Sequence, residues 1–138
     1  MAEVAGGEVA LLDTSILIDI LDRGNTKLYL NLQDKYEKLV IPIIALYEYL
    51  YGYKVLRKNI EEAKKYLEKI FDIEYIDQNV ILEIINLDYN LRSKGIKIPD
   101  RDLIMAGIAK NKNYTIITKN IKHFKQLTNY GVKIHLIK

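Results

Sequence analysis

Short, unbroken apolar runs alternating with helical segments limit what this chain can fold into more than any other feature. Residues 9–12, 39–41, 73–76, 114–118 and 132–137 read as strands. Helical patterns fill the intervals at 14–23, 26–36, 43–56, 60–70, 80–93, 101–111 and 121–127. Gly24-Asn25 stops the first helix and Gly95 closes the one ending at Ser93. A strand that is apolar throughout has no face to give to water. Such strands, separated by helices, predict a mostly parallel sheet covered on both sides, an α/β/α sandwich. In open parallel sheets ligands bind beyond the carboxyl ends of the strands.

The chain has 138 residues, 49% of them hydrophobic, which suits one domain with a real core. We expect residues 1–8 to form a loose leader and 9–138 the domain. With no Cys there is neither a disulfide framework nor a thiolate zinc site. No apolar stretch reaches the ~20 residues of a membrane helix, and the start lacks a secretory pattern. A cytoplasmic location is the expectation. Charge is unevenly spread: from Leu103 onward there is no Asp or Glu, but there are seven lysines and both histidines, His123 and His135. That asymmetry suits a phosphate-bearing partner as well as a solvated lysine surface.

Three acids stand against apolar sequence. Asp13 follows Val9-Ala10-Leu11-Leu12, Glu48 sits within Ile44-Ala45-Leu46-Tyr47-Glu48-Tyr49-Leu50, and Asp102 opens Leu103-Ile104-Met105-Ala106. Burying a carboxylate is costly without a cation or hydrogen bonds. Carboxylates converging at a sheet edge repel, so they need a shared cation or a proton. Oxygen-only donors favour Mg²⁺ or Mn²⁺. Each acid also has an ordinary reading. Asp13 can cap the helix after it, and Asp100 is the better cap of the next acidic pair. Glu48 can form a buried pair with Lys or Arg. Asn120 can cap the helix from Ile121. Tyr47 and Tyr51, at i and i+4, can stack bases or pack in a core or dimer seam.

Taken in order, these segments resemble the PIN-domain ribonucleases, most closely the VapC-type toxins. Leu12-Asp13-Thr14-Ser15 matches the family's strand and Asp-Thr-Ser-like turn. Glu48 with Gly52 matches its helix-borne Glu, and Asp102-Leu103-Ile104-Met105-Ala106 its Asp-opened helix. Thr118-Lys119-Asn120 followed by Phe124 matches its last motif. The resemblance covers nearly the whole chain. It implies a metal-dependent endoribonuclease in which Asp13, Glu48 and Asp102 hold Mg²⁺ or Mn²⁺ and activate water for in-line hydrolysis. Asn120 takes a fourth position where the family often has Asp, which lowers the site's charge and suits one-metal chemistry. Ser15 and Thr118 match supporting polar positions. Lys119, Lys122 and His123 are the expected RNA contacts. The resemblance further implies RNA as substrate, a homodimer, and an antitoxin partner that covers the acidic cleft with a basic residue. Two rivals remain. One is a non-catalytic RNA-binding or scaffold domain. The other is a phosphoacceptor domain, for which Asp77 is the candidate acceptor.

Overall fold

The computed structural model describes residues 7–138. Five strands form one all-parallel sheet: β1 (Val9–Leu12), β2 (Lys38–Pro42), β3 (Asp72–Glu74), β4 (Thr115–Thr118) and β5 (Lys133–Leu136). Their order is β3-β2-β1-β4-β5. The chain winds outward from β1 to one edge, then returns to β1's other side with β4. The switch point therefore lies between β1 and β4, where a crevice opens beyond the strand ends.

Side-chain alternation splits the core in two. Ala10, Leu12, Leu39, Ile41 and Ile117 face one layer, packing on α1 (Thr14–Leu17), α2 (Thr26–Lys35), α3 (Ile43–Val55) and α4 (Ile60–Ile70). Leu11, Val40 and Ile116 face the other, with α5 (Gln78–Ser93), α6 (Asp100–Lys112) and α7 (Ile121–Phe124). The expected α/β/α sandwich is thus the observed one, because the central strands β1, β2 and β4 each have apolar residues for both layers.

Several element boundaries differ from expectation. The first helix is not continuous: after α1 the chain makes a π-helical turn, Ile18–Asp22. The helix expected to run to Leu127 passes into a 3₁₀ stretch, Lys125–Tyr130, after Phe124. The strand expected at 73–76 is Asp72–Glu74, and its last residue pairs with Pro42. Gly95 closes α5 as expected, at φ 76°. Asp100 does not cap α6; Pro99 takes the cap position without a side-chain bond, and Asp100 is the first helical residue. Of the expected leader, residues 1–6 lie outside the described residues. The Glu8 carbonyl accepts the Glu37 amide at 2.9 Å, continuing the β1–β2 pairing, and its carboxylate meets Lys133 at 3.2 Å.

α5 and α6 pack unusually close. A Cβ on Gly107 would collide with Ile84, so glycine is required where the two helices cross. That approach fixes the position of α6, whose first turn carries Asp100, Arg101 and Asp102.

Candidate active site

Asp13 is positioned by sheet and helix together. Its amide continues the β1–β4 pairing by donating to the Ile117 carbonyl at 3.0 Å. Its extended backbone, φ −71° and ψ 156°, then caps α1, with Oδ1 accepting the Thr14 amide at 2.8 Å. The ordinary cap reading is therefore correct, but it accounts for a single oxygen contact. Oδ2 accepts the Thr118 hydroxyl at 2.7 Å from the end of β4. Thr118 Oγ1 in turn accepts the Asn120 amide at 3.0 Å, so one threonine fixes both the carboxylate and the loop after β4.

Glu48 sits on the cleft side of α3, whose Ala45, Leu46 and Tyr49 are buried in the core. Asp102 is 1% exposed in the first turn of α6, where the helix dipole favours an acid. Right-handed crossovers bring both helices to the β1–β4 switch point. The three acids meet there around one guanidinium. Arg101 Nε donates to both Glu48 oxygens at 3.0 and 2.9 Å, and Nη2 donates to Glu48 Oε1 at 2.9 Å. Nη1 donates to Asp102 Oδ1 at 3.2 Å, and Nη2 also pairs with Asp13. Thr14 joins the network, donating to Glu48 Oε1 at 2.6 Å while lying 3.2 Å from Arg101 Nη2. Burial alone would lower the Arg101 pKa. The bonds to Glu48 and the charge of Asp13 outweigh it and hold the guanidinium above its usual range.

The shared cation expected from the three acids is therefore supplied within the chain. Among the described residues, no three acidic or histidine side chains stand close enough to hold a metal ion as arranged. The physical reason is size: a flat guanidinium spans its partners, whereas an ion draws oxygens to about 2.0–2.1 Å for Mg²⁺. The donor set itself, three carboxylates without sulfur or nitrogen, fits a hard divalent cation. Three carboxylates on one guanidinium also leave a formal excess of negative charge at the site.

The remaining candidates divide. Ser15, Asn120 and His123 line the same cleft of about 410 Å³ as Asp13, Glu48 and Arg101. His123 Nδ1 lies 2.9 Å from Asp102 Oδ2, a partner that sequence spacing did not reveal. Ser15 Oγ accepts the Lys119 amide at 3.3 Å. The Lys119 ammonium turns to buried Asp19, 3.2 Å away on the π-helical turn. Lys122 lines an adjoining depression with Lys97, Asp102 and His123. His135 stands away from the cleft, with its Nδ1 2.7 Å from the Tyr36 hydroxyl. Asp77 caps α5 through the Val80 amide at 2.9 Å and pairs with Lys112 at 2.7 Å, so the proposed phosphoacceptor serves as a helix cap. Tyr47 and Tyr51 are exposed and stack on each other, centroids 6.1 Å apart, rather than entering the core. A second groove, about 280 Å³, lies between α2, α3 and α4 and is lined by Tyr29, Tyr49, Tyr53 and Phe71. It has no acid among its lining residues.

Sequence reading missed Arg101 and Thr14, though Thr14 stands in the Asp-Thr-Ser turn and Arg101 lies next to Asp102. Arg101 is bracketed by Asp100 and Asp102 in sequence, and nothing there points to Asp13 or Glu48.

A parallel sheet with three carboxylates at its switch point defines an α/β protein with an acidic cleft. The family model for the PIN domain matches residues 10–129, and the chain belongs to the PIN domain family. It is 33% identical over 128 residues to Ribonuclease VapC1 of Methanocaldococcus jannaschii, covering 91% of this chain and 85% of that protein. Ribonuclease VapC2 of Rickettsia felis is 30% identical over 125 residues, 88% of this chain and 93% of that one. The solved structure of VapBC2 from Rickettsia felis, bound to a DNA fragment from their promoter, superposes with a TM-score of 0.77. Its identity is 25%, and the match covers 94% of this chain and 99% of that chain.

Proposed function

We propose that this chain is a metal-dependent endoribonuclease and the toxin of a toxin–antitoxin pair. The observation that carries the reading is the meeting of Asp13, Glu48 and Asp102 around one cation position. It is supported by relatives that are ribonucleases. In this reading the three carboxylates hold Mg²⁺ or Mn²⁺. A divalent ion there supplies Lewis acidity, polarising a phosphoryl oxygen and easing proton loss from water. The chain's own groups do the positioning. Thr118 fixes the Asp13 carboxylate, and His123 fixes that of Asp102. The neutral Asn120 amide and Ser15 present hydrogen-bonding groups to the cleft without adding charge. Hydrolysis would leave a 5′-phosphate and a 3′-hydroxyl.

The partners follow from the same reading. Structures similar to this chain include a toxin–antitoxin complex, which supports an antitoxin partner. A homodimer is proposed on the exposed α5 face of Ile81, Leu82, Ile85 and Tyr89, which is apolar where a lone helix would be polar. No described helix is long and apolar enough to cross a membrane, consistent with action on cytoplasmic RNA.

Arg101 also favours a second reading, since an arginine on all three acids suits a structural ion-pair network in a non-catalytic RNA-binding domain. One experiment separates them. A mixed RNA pool is incubated with wild type or Asp13→Asn, freed of co-purified partner, with Mg²⁺, Mn²⁺ or EDTA. The nuclease reading expects metal-dependent cutting that falls roughly 100-fold or more in the variant. No cutting under any metal would leave the binding domain.

A further inference from the structure

We infer that Arg101 is a built-in counter-cation that competes with the divalent ion for the same carboxylates, so metal binding requires its release. The inference rests on the metal-dependent reading above and adds a regulatory element to that site. Four observations carry it. First, Arg101 and a metal would need the same oxygens: the guanidinium reaches Asp13, both oxygens of Glu48 and Asp102 Oδ1. Second, the charges do not balance. One guanidinium leaves the three carboxylates formally under-neutralised, and a divalent ion would neutralise them better. Third, there is a way out. The Arg101 side chain is 26% exposed and lines the cleft of about 410 Å³, so it can turn outward without disturbing the core. Fourth, the tether is short. Arg101 neighbours Asp102 in the first turn of α6, so a released side chain stays beside the cleft.

The two occupants need different arrangements. A guanidinium holds its acceptors apart at hydrogen-bond distance, whereas a small hard ion draws oxygens inward. The Arg-filled and metal-filled sites are therefore separate states of the same side chains. Apparent metal affinity is reduced by the fraction of molecules in which Arg101 occupies the carboxylates. Without metal, Arg101 keeps three carboxylates from repelling one another.

Direct Mn²⁺ binding tests this without RNA or turnover. Free Mn²⁺ is followed by electron paramagnetic resonance on the full chain freed of partner, for wild type, Arg101→Gln, Arg101→Lys and Asp13→Asn. The expected result is saturable binding that tightens at least about 10-fold in Arg101→Gln. Arg101→Lys, which keeps charge but lacks the fork, should fall between. Asp13→Asn should bind more weakly than wild type. If wild type binds saturably and Arg101→Gln binds equally or less tightly, competition is overturned while the metal reading stands. If none binds saturably, both fall. Should Arg101→Gln fail to fold, the wild-type protein answers alone. The Arg101 Nε–H nuclear resonance should shift on Mg²⁺ addition, and an unmoved signal at Mn²⁺- or Mg²⁺-saturating levels overturns the inference.

Discussion

Thr118 and Thr115 lie on the same strand and have opposite consequences. Thr118 donates to Asp13 and accepts from the Asn120 amide, so its hydroxyl joins the acid to the loop after β4. Thr118→Val should leave the fold intact yet lower RNA cleavage about 10–100-fold, the usual cost of losing a partner behind a ligand. Kinetics and thermal melting on one sample would check it. Thr115 Oγ1 is, among the described residues, a buried side-chain oxygen without a hydrogen-bond partner. Thr115→Val removes that oxygen at nearly constant shape and should raise stability by about 1 kcal/mol, read from urea midpoints. Thr115's role was not visible in the sequence, where it is one more β-branched strand residue; Thr118 was expected there only as a polar position supporting the site, without its partners. The acids were legible because a carboxylate among apolar neighbours demands an explanation. Arg101 was not, because its other partners lie 53 and 88 positions away in sequence. Its meaning comes from Asp13 and Glu48, which only the sheet brings near.

At the scale of elements, the periodicities located nearly every helix and strand, but their ends depended on tertiary contacts. The π-helical turn at Ile18–Asp22 illustrates this. Its sequence reads as ordinary helix, yet the structure places Asp19 where it accepts Asn25 Nδ2 at 3.0 Å and pairs with Lys119. Such turns cluster at functional sites, and here it anchors the residue next to Asn120. Asp19 is held below its ordinary carboxylate range, chiefly by the Asn25 bond. Its stabilising contribution is therefore present above that range and disappears as pH falls through it. Gly107 is the other element-scale constraint. Gly107→Ala would push α6 off α5 against Ile84, and overpacking of this kind typically costs about 1–3 kcal/mol. Because α6 carries Arg101 and Asp102, cleavage should fall beyond what the lost stability explains, measured below the melting transition.

For the molecule as a whole, the sheet order decides where chemistry can occur. The α/β/α class was readable from the apolar runs, whereas the order β3-β2-β1-β4-β5 was not, because sequence does not say which side of β1 receives β4. Three tyrosines set an alkaline limit. Burial, with Glu8 nearby, raises Tyr36 to about 12. Burial and the bond to Glu74 raise Tyr114 to about 12. Burial and Asp22 push Tyr49 higher still. A phenol whose folded pKa is raised adds stability below its unfolded value of about 10, and that stability is lost as pH rises. Unfolding by urea should therefore become easier between roughly pH 10 and 12. Absorbance at 295 nm on the same samples would show the phenols ionising with the transition. If the α5 face pairs two copies, Ile85→Asp should convert a dimer to a monomer by sedimentation, with the melting temperature lowered.

The acidic cleft is drawn from residues at opposite ends of the chain: Asp13 near the start, Thr118 and His123 near the finish. No early segment carries a working set. The cleft is thus complete only once β4 has emerged and taken its place beside β1. The winding order of the sheet makes completion of the cleft one of the last events of the chain's synthesis.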